Sequence, residues 1–214
     1  MKVLVTGGLG FIGSHICTEL LEKNYEIIVV DKLHIDKRAK IIVDNIFEGR
    51  EVYKYVEDID VCLHLAWRDG FIHNSPNHII DLSKHFVFLK SLVDYGLKQI
   101  AVLGSMHEAG FFEGKMSDLE FTNPKSLYAI SKDALRRSLE EYCKNKETKL
   151  QWLRAFYIYG DDEYGNSIFC KIRQAVKNGE KTFPFTSGKN KCDFIHINDL
   201  IEQISMAVIQ DNIV

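Results

Sequence analysis

The feature that most restricts this chain is a run of glycines set between a short apolar segment and a helical pattern. Val3 to Thr6 reads as a buried strand, and Gly7-Gly8-Leu9-Gly10-Phe11-Ile12-Gly13 follows at once. From Phe11 to Lys23 apolar residues recur at helical spacing, with Ile12, Ile16 and Leu20 on one side and Asn24 as the stop. A strand that turns through glycines into a helix brings bare backbone amides and the positive end of a helix to one point. Such a point accepts a pyrophosphate. Glycines at 7, 10 and 13 permit the tight turn, the close approach of backbone to phosphate and the packing of helix on strand. Gly7, Gly10, Phe11, Ile12 and Gly13 are therefore candidate dinucleotide contacts.

The rest of the chain keeps alternating short apolar runs with longer helical patterns. Strands are expected over 27–30, 41–43, 61–65, 100–103, 150–156 and 193–197, and helices over 78–95, 126–146, 168–177 and 199–209. In the first of these helices Ile79, Leu82, Phe86, Leu89 and Val93 form the expected inner face, with Gly96 as the end. Asn198 is the expected N-cap of the last. Alternation of this kind defines an α/β chain with a Rossmann-type doubly wound parallel sheet. Residues 1–160 are read as the dinucleotide-binding domain, with strand 193–197 and helix 199–209 returning to it. Residues 161–192 are read as the start of a smaller C-terminal substrate domain. The irregular stretches 68–77, 108–123 and 157–166 all follow strands, where an open parallel sheet has its ligand crevice.

Asp31 ends the second strand, at the spacing of the carboxylate that accepts the adenosine ribose hydroxyls and repels a 2′-phosphate. NAD(H) is the expected cofactor, and the adjoining Lys32, Lys37 and Arg38 leave NADP(H) open. Tyr128 and Lys132 stand at i and i+4 on one helix face. The lysine's charge favours phenolate over phenol, which prepares the tyrosine for proton transfer. Ser105 lies just past the fifth strand, where its hydroxyl can bond a substrate oxygen as charge develops there. His64 is read as a core histidine, and Trp67, Arg68 and Asp69 as the start of a crevice wall. Met106 and His107 line the pocket beside Ser105.

Composition removes other classes. Net charge is -3 without a run of like charge, so no nucleic-acid footprint is expected. No segment approaches the roughly 20 apolar residues that cross a bilayer, and the N-terminal apolar stretch runs into glycines rather than a cleavage site. The 5 cysteines form no Cys-x-x-Cys pair and the 8 histidines lack ligand spacing, so neither a disulfide framework nor a metal is expected. A reducing compartment, the cytoplasm, follows.

Taken together the motifs resemble the extended short-chain dehydrogenase/reductase family, the NAD-dependent nucleotide-sugar epimerases, dehydratases and reductases. The resemblance rests on Thr6 to Gly13, His64-Leu65-Ala66, Ser105, Tyr128 with Lys132, Leu153-Arg154 leading to Tyr159-Gly160, and Gly188 leading to Cys192-Asp193-Phe194-Ile195-His196. It implies that Tyr128 is the acid/base, that Lys132 also holds the nicotinamide ribose, and that Ser105 orients the sugar's reacting oxygen. It also implies cofactor contacts at Leu65, Ala66 and Trp67, an adenine contact at Asp44 and Asn45, a nicotinamide-side contact near Tyr157, and a homodimer.

The departures narrow the chemistry. Dehydratases of this family carry Asp-Glu after the serine or threonine position, where this chain has Met106-His107. The usual tyrosine before the loop glycine is Ala109. The usual arginine, a phosphate contact, is Cys192, with Lys189 and Lys191 as its candidate substitutes. The link from Asp31 to Ile41 is too short for the helix most epimerases carry there. Family members also run on into a longer substrate domain, so the chain is expected to be incomplete. With Arg68 these residues make up the candidate substrate contacts. The expected activity is reduction of a nucleoside-diphosphate 4-keto-6-deoxyhexose. A nucleotide-sugar 4-epimerase and a non-catalytic dinucleotide-binding regulator are the alternatives.

Overall fold

The computed structural model describes residues 1–31, 40–43, 46–47, 58–117, 121–160, 167–185 and 187–210. The first strand, β1 (Lys2–Thr6), enters the glycine turn and then α1 (Phe11–Glu22), and Asn24 takes a left-handed φ of 63° just past the helix end. In order follow β2 (Glu26–Asp31), β3 (Lys40–Val43), β4 (Val61–His64), α2 (Asn77–Asp94) and β5 (Gln99–Ser105). A single 3-10 turn, Met106–Glu108, leads on to α3 (Leu127–Cys143), β6 (Lys149–Ala155) and β7 (Tyr157–Tyr159). Last come α4 (Ile168–Lys177), β8 (Phe194–His196) and α5 (Ile197–Ile209).

Six strands form one parallel sheet in the order β3-β2-β1-β4-β5-β6. Its central strands are apolar on both faces, as helices on both sides require. Along β1, Val3 and Val5 face α1 and α5, together with Ile16, Leu20, Ile201 and Ile204. Leu4 faces α2 and α3, together with Phe88, Leu89, Leu135 and Leu139. The order reverses between β1 and β4, and a crevice opens at such a reversal beyond the carboxyl ends of the strands.

Three details differ from the pattern read in the sequence. The stretch from Tyr157, expected to be irregular, begins with a further strand: β6 stays in the main sheet, whereas β7 pairs with β8 in a separate two-stranded sheet. The last helix begins at Ile197, buried in the core, so its N-cap is His196 and not Asn198; His196 Nδ1 accepts from Asn198 N at 3.3 Å.

The third is the largest. The inner face of α2 starts with His78, Asp81 and His85, while Ile79 and Ile80 face solvent. Burying an apolar side chain of that size contributes about 1.5–3 kcal/mol, and the fold forgoes it here. The polar residues are tolerated inside because they are matched. Arg68 Nε donates to Asp81 Oδ2, and Lys84 Nζ to Asp81 Oδ1 at 3.1 Å. His85 pairs with His64. Local departures from a fold's own patterning concentrate at functional sites, and these residues adjoin the crevice.

Candidate active site

The glycine turn is built as a backbone cradle. Gly7 has a φ of +70°, and a Cβ there would lie 2.7 Å from Ala66 N. A Cβ on Gly13 would lie 2.2 Å from the Gly7 carbonyl oxygen, so helix and strand can close only on hydrogen. Gly10 opens α1 with no side-chain cap, which leaves the first-turn amides to a ligand. The Asp31 carboxylate sits at the end of β2 and accepts from Leu9 N at 3.0 Å, which holds it against the turn. Leu65 and Ala66 continue β4 along β1, donating to Thr6 O at 3.1 Å and to Thr6 Oγ1 at 3.4 Å. Phe11, Ile12 and Trp67 adjoin this cradle in the chain and are half-buried. A turn with bare amides, no room for side chains and a carboxylate at the neighbouring strand end fits a dinucleotide with a free 2′-hydroxyl. Lys32, Asp44 and Asn45 lie outside the described residues.

Ser105, Tyr128 and Lys132 converge although they come from different elements. Ser105 ends β5, buried, and its hydroxyl lies beside the Tyr128 side chain. Tyr128 enters in the first turn of α3, whose exposed amides are claimed individually. Ser126 Oγ accepts from Ala129 N at 3.3 Å, Asn74 Oδ1 from Leu127 N at 3.2 Å, and the His73 carbonyl from Tyr128 N at 2.9 Å. The loop after β4 therefore fixes the start of the tyrosine's helix. Burial raises the Tyr128 pKa, the Ser105 hydrogen bond opposes this, and the Glu108 charge adds to it. Lys132 is 3% exposed and donates from Nζ to the Leu103 carbonyl at 2.6 Å. Burial pulls its pKa down from 10.5 to about 7, with Glu108 pushing the other way.

Glu108 was not singled out as a site residue in the sequence. It is 0% exposed and stands behind Ser105, accepting from Ser105 N at 2.7 Å. It also accepts from Trp152 Nε1 at 2.9 Å and Arg154 Nε at 3.4 Å, with Arg136 Nε at 3.8 Å. The first link is half of a capping box on the 3-10 turn, and Ser-x-x-Glu is its legible signature. Two histidines were missed for another reason. His73 and His78 join the expected His107 at the Tyr128 ring, at centroid distances of 5.7, 5.3 and 6.0 Å, from a loop, a helix and the 3-10 turn. No spacing rule joins such elements.

The other expected substrate contacts are spread out. Arg68 is committed to the buried Asp81, and Met106 is half-buried beside Ser105. Burial lowers the pKa of His107, with His73 adding to it. Tyr157 lies tilted against Phe194 at 5.3 Å and beside Cys192, while Lys189 and Lys191 lie exposed on the segment before β8. Among the described residues no group of three or more His, Cys, Asp or Glu is placed to hold a metal ion, and no helix is long and apolar enough to cross a membrane.

A doubly wound parallel sheet with a glycine cradle at its reversal, and a Ser-Tyr-Lys set at the ends of β5 and α3, defines a nicotinamide-dinucleotide-binding protein of the Rossmann type. The chain belongs to the NAD dependent epimerase/dehydratase family, whose model matches residues 3–213. It is 36% identical over 217 residues to a dTDP-6-deoxy-L-talose 4-dehydrogenase (NAD(+)) of Aggregatibacter actinomycetemcomitans, covering 98% of this chain and 80% of that protein. It is 26% identical over 228 residues to an uncharacterized UDP-glucose epimerase of Bacillus subtilis, covering 96% of this chain and 72% of that one. A UDP-glucose 4-epimerase of Thermotoga maritima, solved with UDP-glucose, shares the fold: TM-score 0.86 at 24% identity, over 98% of this chain and 74% of that one.

Proposed function

We propose that the protein is an NAD(P)-dependent oxidoreductase acting at C4 of a nucleoside-diphosphate sugar, a 4-keto-6-deoxyhexose reductase. The observation that carries this reading is the placing of buried Ser105 at the end of β5 beside Tyr128 of α3, with Lys132 one helical turn on. A dinucleotide held at the glycine cradle supplies or accepts the hydride. Tyr128 gives its proton to the oxygen at C4 in reduction and takes it back in oxidation, and the Ser105 hydroxyl holds that oxygen in place. Lys132 as an ammonium favours the ionised phenol that proton donation leaves behind. Next to Ser105 the side chains are a thioether and an imidazole, Met106 and His107, and no carboxylate pair stands there to remove water from the sugar. The similar A. actinomycetemcomitans protein is named for 4-dehydrogenation of a dTDP-6-deoxyhexose. A 4-dehydrogenase and a 4-ketoreductase run one reaction in opposite directions.

The assay is a nucleoside-diphosphate 4-keto-6-deoxyhexose mixed with NADH. Absorbance of the reduced nicotinamide is expected to fall in stoichiometric proportion to the sugar. A 4-epimerase is the second reading, supported by the epimerases among the similar proteins. Interconversion of two C4 epimers with NAD unconsumed establishes it and ends the reductase reading. Neither reaction with any nucleotide sugar leaves the non-catalytic regulator. With NADPH in place of NADH, Asp31 beside the glycine turn is expected to cut kcat/KM about 10-fold or more through like-charge repulsion. Equal use of both cofactors removes Asp31 as the selector.

We also propose a homodimer. Ile79, Ile80 and Val87 of α2 and Ile130 of α3 lie exposed on two helices that pack together on one flank of the sheet. Light scattering is expected to give the mass of two chains, and Val87→Glu the mass of one. A monomer at micromolar concentration of the unaltered protein refutes this.

A further inference from the structure

Lys132 has a role in the proposed reaction, but the rings around it have none yet. Its Nζ lies 4.0 Å from the centroid of the Trp67 ring, the geometry of a cation held on a π face. Trp67 is in turn held on two sides. Its indole N–H donates to His78 Nδ1 at 3.0 Å, and His78 Nε2 donates to the Ile72 carbonyl at 3.0 Å. Its ring stacks on His85 at 4.3 Å with 10° between planes. His85 Nδ1 pairs with His64 Nε2 at 2.9 Å, and His64 Nδ1 with Thr6 Oγ1 at 2.8 Å. Thr6, His64, His78 and His85 are all buried. This network runs from β1 through β4 to α2, and it accounts for the polar inner face of that helix.

Burial keeps the histidines under the indole neutral. It pulls His64 well below its ordinary range and His85 down to about 3, and the charge of Lys132 depresses both further. A neutral imidazole on Trp67 does not compete for its π electrons, whereas an imidazolium would. The indole face is left to the lysine. Lys132 needs such help, because an ammonium in a buried site tends to lose its proton. The groups that face it are Tyr128 on its own helix, Glu108 on the 3-10 turn, His64 on β4 and His85 on α2. Of these, Glu108 alone supplies a charge of the opposite sign. The Leu103 carbonyl accepts one hydrogen bond from Nζ at 2.6 Å, and Trp67 is the further favourable partner.

We infer that Trp67 is the positioning residue for Lys132: its indole, locked by His78 and His85, holds the lysine as a buried ammonium in register with Tyr128. The inference rests on the reading that Lys132 serves Tyr128. It gives the tryptophan a task separate from the backbone cofactor contact implied at this position, and separate from a crevice wall.

Fluorinated tryptophans test it, because fluorine withdraws π density while nearly preserving ring shape. The cofactor-free protein is produced with ¹³C-lysine and with tryptophan, 5-fluoro- or 5,7-difluorotryptophan, and the Lys132 signal, assigned through Lys132→Arg, is titrated by NMR. The Lys132 midpoint is expected to fall with each fluorine, by about one unit in all, a tenfold change in the ammonium-to-amine ratio. The protein has 2 tryptophans, so Trp67→Phe carrying the same labels reports on Trp152 alone and is expected to show no fluorine dependence. In unlabelled protein, Trp67→Phe, a weaker π face, lowers the midpoint part of the way and Trp67→Leu lowers it further. In sugar oxidation, where Tyr128 must ionise, the acid limb of kcat moves to higher pH as the ring weakens. A Lys132 midpoint that does not respond to fluorination, or that responds equally in Trp67→Phe, overturns the role of the tryptophan. Full turnover in Lys132→Met overturns instead the reading on which it rests, so the two failures are distinct.

Discussion

Tyr128→Phe is expected to lower kcat by about 100-fold or more, the usual contribution of a positioned acid or base, while NAD(H) affinity measured by calorimetry stays unchanged. The phenol hydroxyl lies beside Ser105 and takes no part in the glycine cradle, so its removal separates chemistry from cofactor binding. The ring itself remains, with its contacts to Trp67, His73, His78 and His107, and the fold is expected to survive intact. Turnover of the 4-keto sugar within a few-fold of the unaltered enzyme would remove Tyr128 from the mechanism.

Glu108→Ala is expected to cost about 3–5 kcal/mol of stability, read from urea unfolding midpoints, the range for breaking a buried ion pair from one side. The substitution strands Arg154 Nε, the Trp152 indole N–H and the Ser105 amide around an emptied site, while Arg136 keeps Asp133 and Glu140. Glu108→Gln keeps the size and the acceptor for Ser105 N and is expected to lose less. Because Ser105 is anchored through Glu108, kcat is expected to fall with stability in the alanine variant. A loss below 1 kcal/mol would mean that Arg154 and Trp152 find other partners, and that Glu108 does not hold the serine turn.

The two sites were legible to different degrees, for physical reasons that Glu108 and the histidines illustrate. The glycine cradle is local: a strand, a turn and a helix adjacent in sequence make it, and only hydrogen fits at Gly7 and Gly13. Its signature survives in the order of residues. The proton-transfer set is half local. Tyr128 and Lys132 share a helix face, and Ser105 stands at a strand end, so each is visible singly. Their meeting depends on β5 lying beside β4 and on α3 starting from the loop after β4.

The sequence alone therefore determined the doubly wound parallel sheet and the glycine turn with Asp31 at the neighbouring strand end, and it offered Ser105, Tyr128 and Lys132 as the candidate proton-transfer set. Periodicity, glycine sterics and helix spacing are short-range, and a linear chain displays them. Tertiary structure alone decided which face of α2 turns inward. Apolar periodicity favoured Ile79, Leu82 and Phe86. Leu82 and Phe86 do pack half-buried on the core, but Ile79 faces solvent. His78, Asp81 and His85 find hydrogen-bond partners on Trp67, Arg68 and His64 and are buried beside them. It also decided that Trp67 meets Lys132 and that Glu108 stands behind Ser105. Each pairing joins elements distant in sequence. A buried polar group is tolerated only where such a partner arrives, and its partner becomes visible once the sheet has set the strand ends side by side.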